Sequence, residues 1–279
     1  MTKHAPFEEQ VRGWIERFVR ESAANRHPES GLPYFDAPLT GFASSDDPLF
    51  TRYKEVIGDY HLTPREIMES AFGAGSAEKG TVICWILPIT SETRGSNRQE
   101  RLWPSREWAC TRTHGEAFNN LLRKQLTDML TSLGRRALSP LLSEGFRTIE
   151  TRSGPSSTWS ERHAAHAAGL GTFSLNDGLI TERGMAHRCG SVITDLVIPP
   201  TPRRYDHWAE YCLFHRDGSC GACIGRCPAG AITRYGHDKT KCYRYCYEEV
   251  IGQVGERFGV AAPGCGLCQT GVPCEAGIP

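Results

Sequence analysis

Nine of the 12 cysteines fall in residues 206–279: Cys212, Cys220, Cys223, Cys227, Cys242, Cys246, Cys265, Cys268 and Cys274. Clustered thiols on this scale are either a disulfide framework or a set of metal ligands, and the redox compartment decides between them. The opening stretch, MTKHAPFEEQVRGWIERF, has no uninterrupted apolar core of signal-peptide length. The Arg135-Arg136 and Arg203-Arg204 pairs are internal rather than near the start. No stretch approaches the roughly 20 apolar residues of a membrane span. These features predict a cytoplasmic protein with no membrane contact, in which the thiols stay reduced and serve as ligands. Lys+Arg and Asp+Glu both number 32, so there is no global positive field to hold a nucleic-acid backbone or an anionic membrane surface.

The composition shift divides the chain into residues 1–204 and 205–279, with PPTPRR at 199–204 as the linker. In the first part, Phe7, Val11, Trp14, Ile15, Phe18 and Val19 recur at helical spacing. Residues 28–53 read as a packed loop carrying Tyr34, Phe35, Phe42, Phe50 and Tyr53. Thr63-Pro64-Arg65-Glu66 is a capping box that starts a helix toward Phe72. TVICWILPI, 81–89, is a continuous apolar run suited to a strand buried on both faces. A polar stretch to about 114 precedes a helix over 115–134, stopped by Gly134, and a shorter helix spans 158–168 before Gly169. NDG at 176–178 marks a turn, and SVITDLVI at 191–198 a strand. The mixture predicts an α+β or α/β layered fold. Cys84, Cys110 and Cys189 stand alone in apolar surroundings and read as small core residues.

The thiol spacing is specific. A bacterial ferredoxin run is CxxCxxCxxxCP, in which three cysteines hold one cubane and the fourth, before proline, crosses to the other. CGACIGRCPAGAI, 220–232, keeps the last three positions as Cys220, Cys223 and Cys227-Pro228, with Cys212 displaced upstream by seven intervening residues. Cys265-x-x-Cys268 with Cys274 mirrors this group. Crossed ligation then assigns Cys212, Cys220, Cys223 and Cys274 to a first 4Fe-4S cluster, and Cys227, Cys242, Cys265 and Cys268 to a second. Cys246 is left over and can replace Cys242. Two four-thiolate zinc sites are the structural alternative.

CGACIGRCPAGAI, ERHAAHAAGLGTFSLNDGLIT at 161–181 and GSVITDL at 190–196 together resemble the epoxyqueuosine reductase and reductive dehalogenase superfamily of cobalamin-dependent iron-sulfur reductases. The resemblance extends to TVICWILPI and to GEAFNNLLRKQL at 115–126, and so covers most of the chain from about residue 80. It implies an α+β architecture: a nitroreductase-like α/β domain holding cobalamin, followed by a ferredoxin-like domain with two 4Fe-4S clusters. It also implies that Gly169, Leu170, Gly171, Ser174 and Asn176, with Gly190, Ser191 and Thr194, face the corrin and its nucleotide tail. The implied activity is that of an oxidoreductase. A ferredoxin or flavodoxin would feed electrons through cluster two and then cluster one to cobalt, for a reductive reaction on a small molecule.

Two departures from the family pattern bear on the substrate. Epoxyqueuosine reductases carry an acidic proton donor shortly before the segment matching Glu161-Arg162, but SGPSSTW at 153–159 has no acid. They also continue into a tRNA-holding helical-repeat region, whereas this chain ends five residues after Cys274. No tRNA substrate is therefore expected. A dehalogenase-type reaction needs a proton donor near the corrin, for which Tyr34, His163 and His166 are available. Asp59-Tyr60-His61-Leu62-Thr63-Pro64 ends in proline where a DxHxxG cobalt-binding motif needs glycine, so base-off cobalamin without a protein nitrogen on cobalt is predicted. The competing readings are an electron-transfer or corrinoid-reactivating partner protein without its own substrate, and a corrinoid-handling protein without turnover.

Overall fold

The computed structural model describes residues 6–76 and 79–279; residues 1–5, part of the stretch read above for a signal peptide, lie outside them. The first helix, α1 (Phe7–Glu21), buries Val11, Ile15 and Val19 on one face. The segment read as a packed loop instead holds a strand, β1 (Leu39–Ser44), and a helix, α2 (Pro48–Ile57), capped by the Asp47 side chain. Its aromatics are the reason it packs: Tyr34, Phe35, Phe42, Phe50 and Tyr53 are all buried. Helix α3 (Pro64–Phe72) starts at the Thr63 capping box, with both reciprocal hydrogen bonds present.

Strand β2 (Thr81–Pro88) is buried at every residue. Its pleat explains the unbroken apolar run. Ile83, Trp85 and Leu87 enter one core with α1 and α5 (Arg106–Ser132), while Val82, Cys84 and Ile86 enter another with α2, α3 and α6 (Glu161–Ala167). Helix α4 (Ser91–Gln99) and the first turns of α5 occupy the stretch read as polar and irregular. The α5 N-terminus lies nine residues before the predicted start because the Ser105 hydroxyl accepts from Trp108 N. Strands β3 (Ala137–Leu138) and β8 (His187–Thr194) complete a four-stranded antiparallel sheet in the order β1-β2-β8-β3. Two hairpins stand apart from it, β4 (Thr148–Thr151) with β5 (Gly154–Ser157) and β6 (Gly171–Phe173) with β7 (Leu179–Thr181). The second turns at NDG, where Asp177 adopts φ 58°.

PPTPRR is not a free tether. Thr201 exchanges hydrogen bonds with the Phe42 backbone, and Arg203 pairs with Asp47 at 2.7 Å. The cysteine-rich segment contributes short helices α7 (Leu213–Asp217), α8 (Ala222–Arg226) and α9 (Lys239–Arg244), the last running into a π-turn at Tyr245–Glu249. It packs onto the β6-β7 hairpin through Leu175, Ile180 and Met185, which share a small core with Ile232 and Val272.

Candidate metal centre and adjoining basin

The nine thiols line two cavities. Cys212, Cys220, Cys223 and Cys274 border one, a narrow space of about 20 Å³ closed by Ile180, Met185 and Phe214. Cys227, Cys242, Cys246, Cys265 and Cys268 border the other, which measures about 520 Å³. Cys227 thus leaves its sequence neighbour Cys223, and Cys274 leaves Cys268. The Pro228 turn redirects Cys227, whose sulfur accepts from Ala231 N at 3.3 Å. The turn that carries Cys274 is held by Met185 N donating to Cys274 O at 2.9 Å and by buried Glu275, which Arg94 and Arg98 clamp.

Burial, with the neighbouring Cys212 and Cys220 thiols, pushes Cys223 up to about 11; burial, with Cys223 and Cys212, pushes Cys274 up to about 12. Burial likewise raises Cys268. Such thiols stay protonated until a cation displaces the protons, which is how metal loading couples to proton release. Among the described residues no three His, Cys, Asp or Glu side chains converge as a site for a single metal ion. Within the larger cavity Cys242 Sγ lies 4.0 Å from Cys246 Sγ. Arg188 on its wall pairs with Glu116 at 2.6 Å, and although burial opposes ionisation, Arg188 and Arg123 hold the Glu116 carboxyl down to about 2. Cys84, Cys110 and Cys189 are buried in the layered cores.

A basin of about 980 Å³ adjoins the larger cavity, and Ser156, Arg162, His163, Asp177 and Lys239 border both. Tyr53 and His166 form its inner wall. Tyr53 Oη lies 2.8 Å from His166 Nδ1, within hydrogen-bond distance. Desolvation lowers His166 to about 4 and raises the Tyr53 phenol, so the pair is neutral. Tyr205 O–H donates to the His166 carbonyl. Desolvation also depresses His163, whose Nδ1 contacts Ser160 Oγ at 2.7 Å. Of the sequence candidates for proton donor, His163 and His166 border the basin. Tyr34 does not; it packs beside His27 and His114. Tyr53, which the sequence offered only as a loop aromatic, is the phenol that does. The β4-β5 hairpin brings Thr151, Ser153 and Ser156 to the basin, and exposed Glu150 does not line it.

The segments predicted to face a corrin are largely committed to the protein itself. Gly190 lies under the Trp85 indole, where any Cβ would collide. Ser191 Oγ accepts from Trp159 Nε1 at 3.0 Å, and Thr194 Oγ1 accepts from Leu196 N at 3.2 Å. Gly171 is pressed against the Ile180 carbonyl within its hairpin, Gly169 (φ 75°) against the 201–202 carbonyls, and Leu170 against Gly41. None of these six borders the basin or the two thiol-lined cavities. Ser174 and Asn176 do reach the cysteine cavities, and Asn176 Nδ2 donates to Cys268 O at 3.0 Å. His61 is buried on Trp159, with Nε2 accepting from Ser160 N at 3.2 Å.

No protein-family model matches the chain. The epoxyqueuosine reductase of Bacillus anthracis is 29% identical over 179 residues, 61% of this chain and 41% of that protein. That of Leadbetterella byssophila is 34% identical over 115 residues, 39% of this chain and 35% of that protein. The chain thus spans less than half the length of these relatives. In fold, it matches the epoxyqueuosine reductase of Bacillus subtilis with a TM-score of 0.54 at 19% identity, over 98% of this chain and 66% of that one. It also matches an epoxyqueuosine reductase solved with a tRNA-Tyr epoxyqueuosine-modified tRNA stem loop, with a TM-score of 0.55 at 18% identity, over 96% and 65% of the two chains. The chain is thus similar to epoxyqueuosine reductases in sequence over the matched part, and shares their fold over nearly its whole length.

Proposed function

We propose that this chain is an iron-sulfur oxidoreductase that uses a corrinoid to reduce a small molecule held in the basin. The observation that carries the reading is the crossed grouping of thiols. Cys274 joins Cys212, Cys220 and Cys223, and Cys227 joins the later cysteines, as two cubanes require. Thiols spread around a cavity suit a polynuclear group better than a zinc ion, whose four sulfurs sit about 2.3 Å from one centre. The larger cavity, about 520 Å³, has room for a cubane; the narrow one, about 20 Å³, would have to widen to hold one. The division into residues 1–204 and 205–279 follows the same logic, although the β6-β7 hairpin packs with the second part.

A corrinoid, when bound, supplies a low-valent cobalt that delivers reducing equivalents. The adjoining cavities offer the space, and Ser156, Asn176, His163 and Asp177 are the residues that would hold it, in place of the buried glycines and hydroxyls. Because the cavity of Cys227, Cys242, Cys265 and Cys268 is the one that meets the basin, the cluster it would hold stands nearer the basin, and a ferredoxin or flavodoxin would feed the first cluster, the reverse of the order expected from sequence. Tyr53, buried and protonated, is the group placed to give a proton to the reduced product, with the neutral His163 ring packed beside it at 4.8 Å between ring centroids. Charge balance and the acid-free SGPSSTW stretch at 153–159 favour a small molecule over tRNA.

Anaerobically purified protein should contain about eight irons and eight sulfides per chain, and its visible spectrum should change on adding cobalamin. Stoichiometric zinc without sulfide would overturn the iron-sulfur reading, and an unchanged cobalamin spectrum would move the assignment to an electron-transfer partner protein. Turnover of epoxyqueuosine in tRNA would replace the small-molecule substrate.

A further inference from the structure

We propose that the second cluster has two interchangeable thiolates for its fourth ligand, Cys242 and Cys246. The inference rests on the iron-sulfur reading above. Five thiols border one cavity, and a cubane takes four. Three of them come from turns with their own anchors. Cys227 is fixed by Ala231 N, while Cys265 and Cys268 flank Gly266, whose backbone lies against the Trp108 ring at φ 67°.

The other two share one continuous helical run. Cys242 is in α9, and Cys246 follows four residues later in the π-turn Tyr245–Glu249, so both side chains point from one face. Their sulfurs are 4.0 Å apart. Exchanging one for the other therefore needs a sulfur movement of that order, with no refolding. Each thiol also has its own basic neighbour and its own link to the cavity wall. Cys242 contacts His237, which Asp177 holds at 3.0 Å. Cys246 contacts Cys265 and lies near Arg112, whose guanidinium donates to Tyr247 Oη at 3.3 Å. A thiolate in either position thus meets a favourable partner, and neither is singled out. The turn between them has the wide hydrogen-bonding of a π-helix, a local feature frequent at functional sites. Exchange conserves atoms and charge: one iron–sulfur bond breaks as the other forms, the departing thiolate takes up the proton released by the incoming thiol, and no electron is transferred.

The test combines alkylation of the wild-type chain with iron analysis of Cys242→Ala, Cys246→Ala and the double variant, all purified anaerobically. Iodoacetamide followed by peptide mapping should divide the label between Cys242 and Cys246 in the wild type. Each single variant should retain about eight irons and protect its remaining thiol, while the double variant falls to about four. Label confined to one of the two in the wild type, or loss of the second cluster from one single variant alone, would overturn the exchange. The labelling arm uses no substitution, so it decides the matter even if a variant folds poorly. Wild-type protein without iron or sulfide would instead sink the iron-sulfur reading beneath it.

Discussion

Burial sets the protonation of His61, of His166 at the basin and of His187 at the larger cavity. Desolvation lowers His61, His166 and His187 each to about 4. His61 accepts from Ser160 N through Nε2, which leaves Nδ1 as the protonated nitrogen; it is buried and has no partner. His187 Nε2 lies 2.8 Å from the Leu179 carbonyl. Because the folded pKa lies below the unfolded value near 6.5, each neutral ring contributes stability that is fully present above about 6.5 and is lost as pH falls toward 4. For His61, 1% exposed, the effect is on the order of 3 kcal/mol. Urea midpoints should therefore drop steeply between pH 6.5 and 4, and His61→Gln should flatten that slope. An unchanged slope would show that the ring is not buried neutral. The short-range signal around His61, a failed cobalt motif beside a helix cap, was legible in sequence; its stacking on Trp159 was not, because Trp159 lies nearly 100 residues away.

At the scale of elements, local signals succeeded where the chemistry is local. The Thr63 capping box, the NDG turn and the alternating faces of β2 follow from hydrogen bonds and pleat within a few residues. The whole of β1 and α2 escaped, since polar and turn-rich residues there are stabilised by partners elsewhere: Leu39–Ser44 pairs with β2, and Phe50 stacks on Trp159. Gly190 shows the same limit. A glycine beside a serine in a superfamily-like segment suggested close approach to a corrin, but the group that approaches is the Trp85 indole across the β2-β8 pair. Gly190→Ala should cost about 1–3 kcal/mol by overpacking, measured as an earlier urea midpoint, with iron content unchanged. Loss of corrinoid binding at full stability would return Gly190 to the cofactor.

Across the whole molecule, the two parts are joined at the thiol-lined cavities. Glu275, 4% exposed, accepts from Gly271 N and pairs with Arg94 and Arg98 of α4, fixing the turn that delivers Cys274. Removing a partner from a buried ion pair costs about 3–5 kcal/mol. If the two cavities hold the proposed clusters, Glu275→Ala should release the terminal arm and lower iron from about eight to about four per chain, with the first cluster's electron paramagnetic resonance signal lost and the second's retained. Loss of the second signal instead would show that Cys274 serves the other cavity.

The sequence by itself determined the number and spacing of the thiols, the doubly buried strand and the superfamily resemblance, because these are properties of residue type and short-range periodicity. The expectation that Cys274 groups with Cys212, Cys220 and Cys223, and Cys227 with the later cysteines, also came from sequence, from a CP ending and a mirrored CxxC, and the same groups line the two cavities. Only the tertiary structure decided that Tyr53 stands in the basin with His166, that Cys246 shares the larger cavity, and that Gly190 and Ser191 are contacted by Trp85 and Trp159. Those outcomes depend on which distant elements pack together, and burial of Trp85, Trp159 and Phe50 claims side chains and backbone that sequence alone leaves free for a ligand.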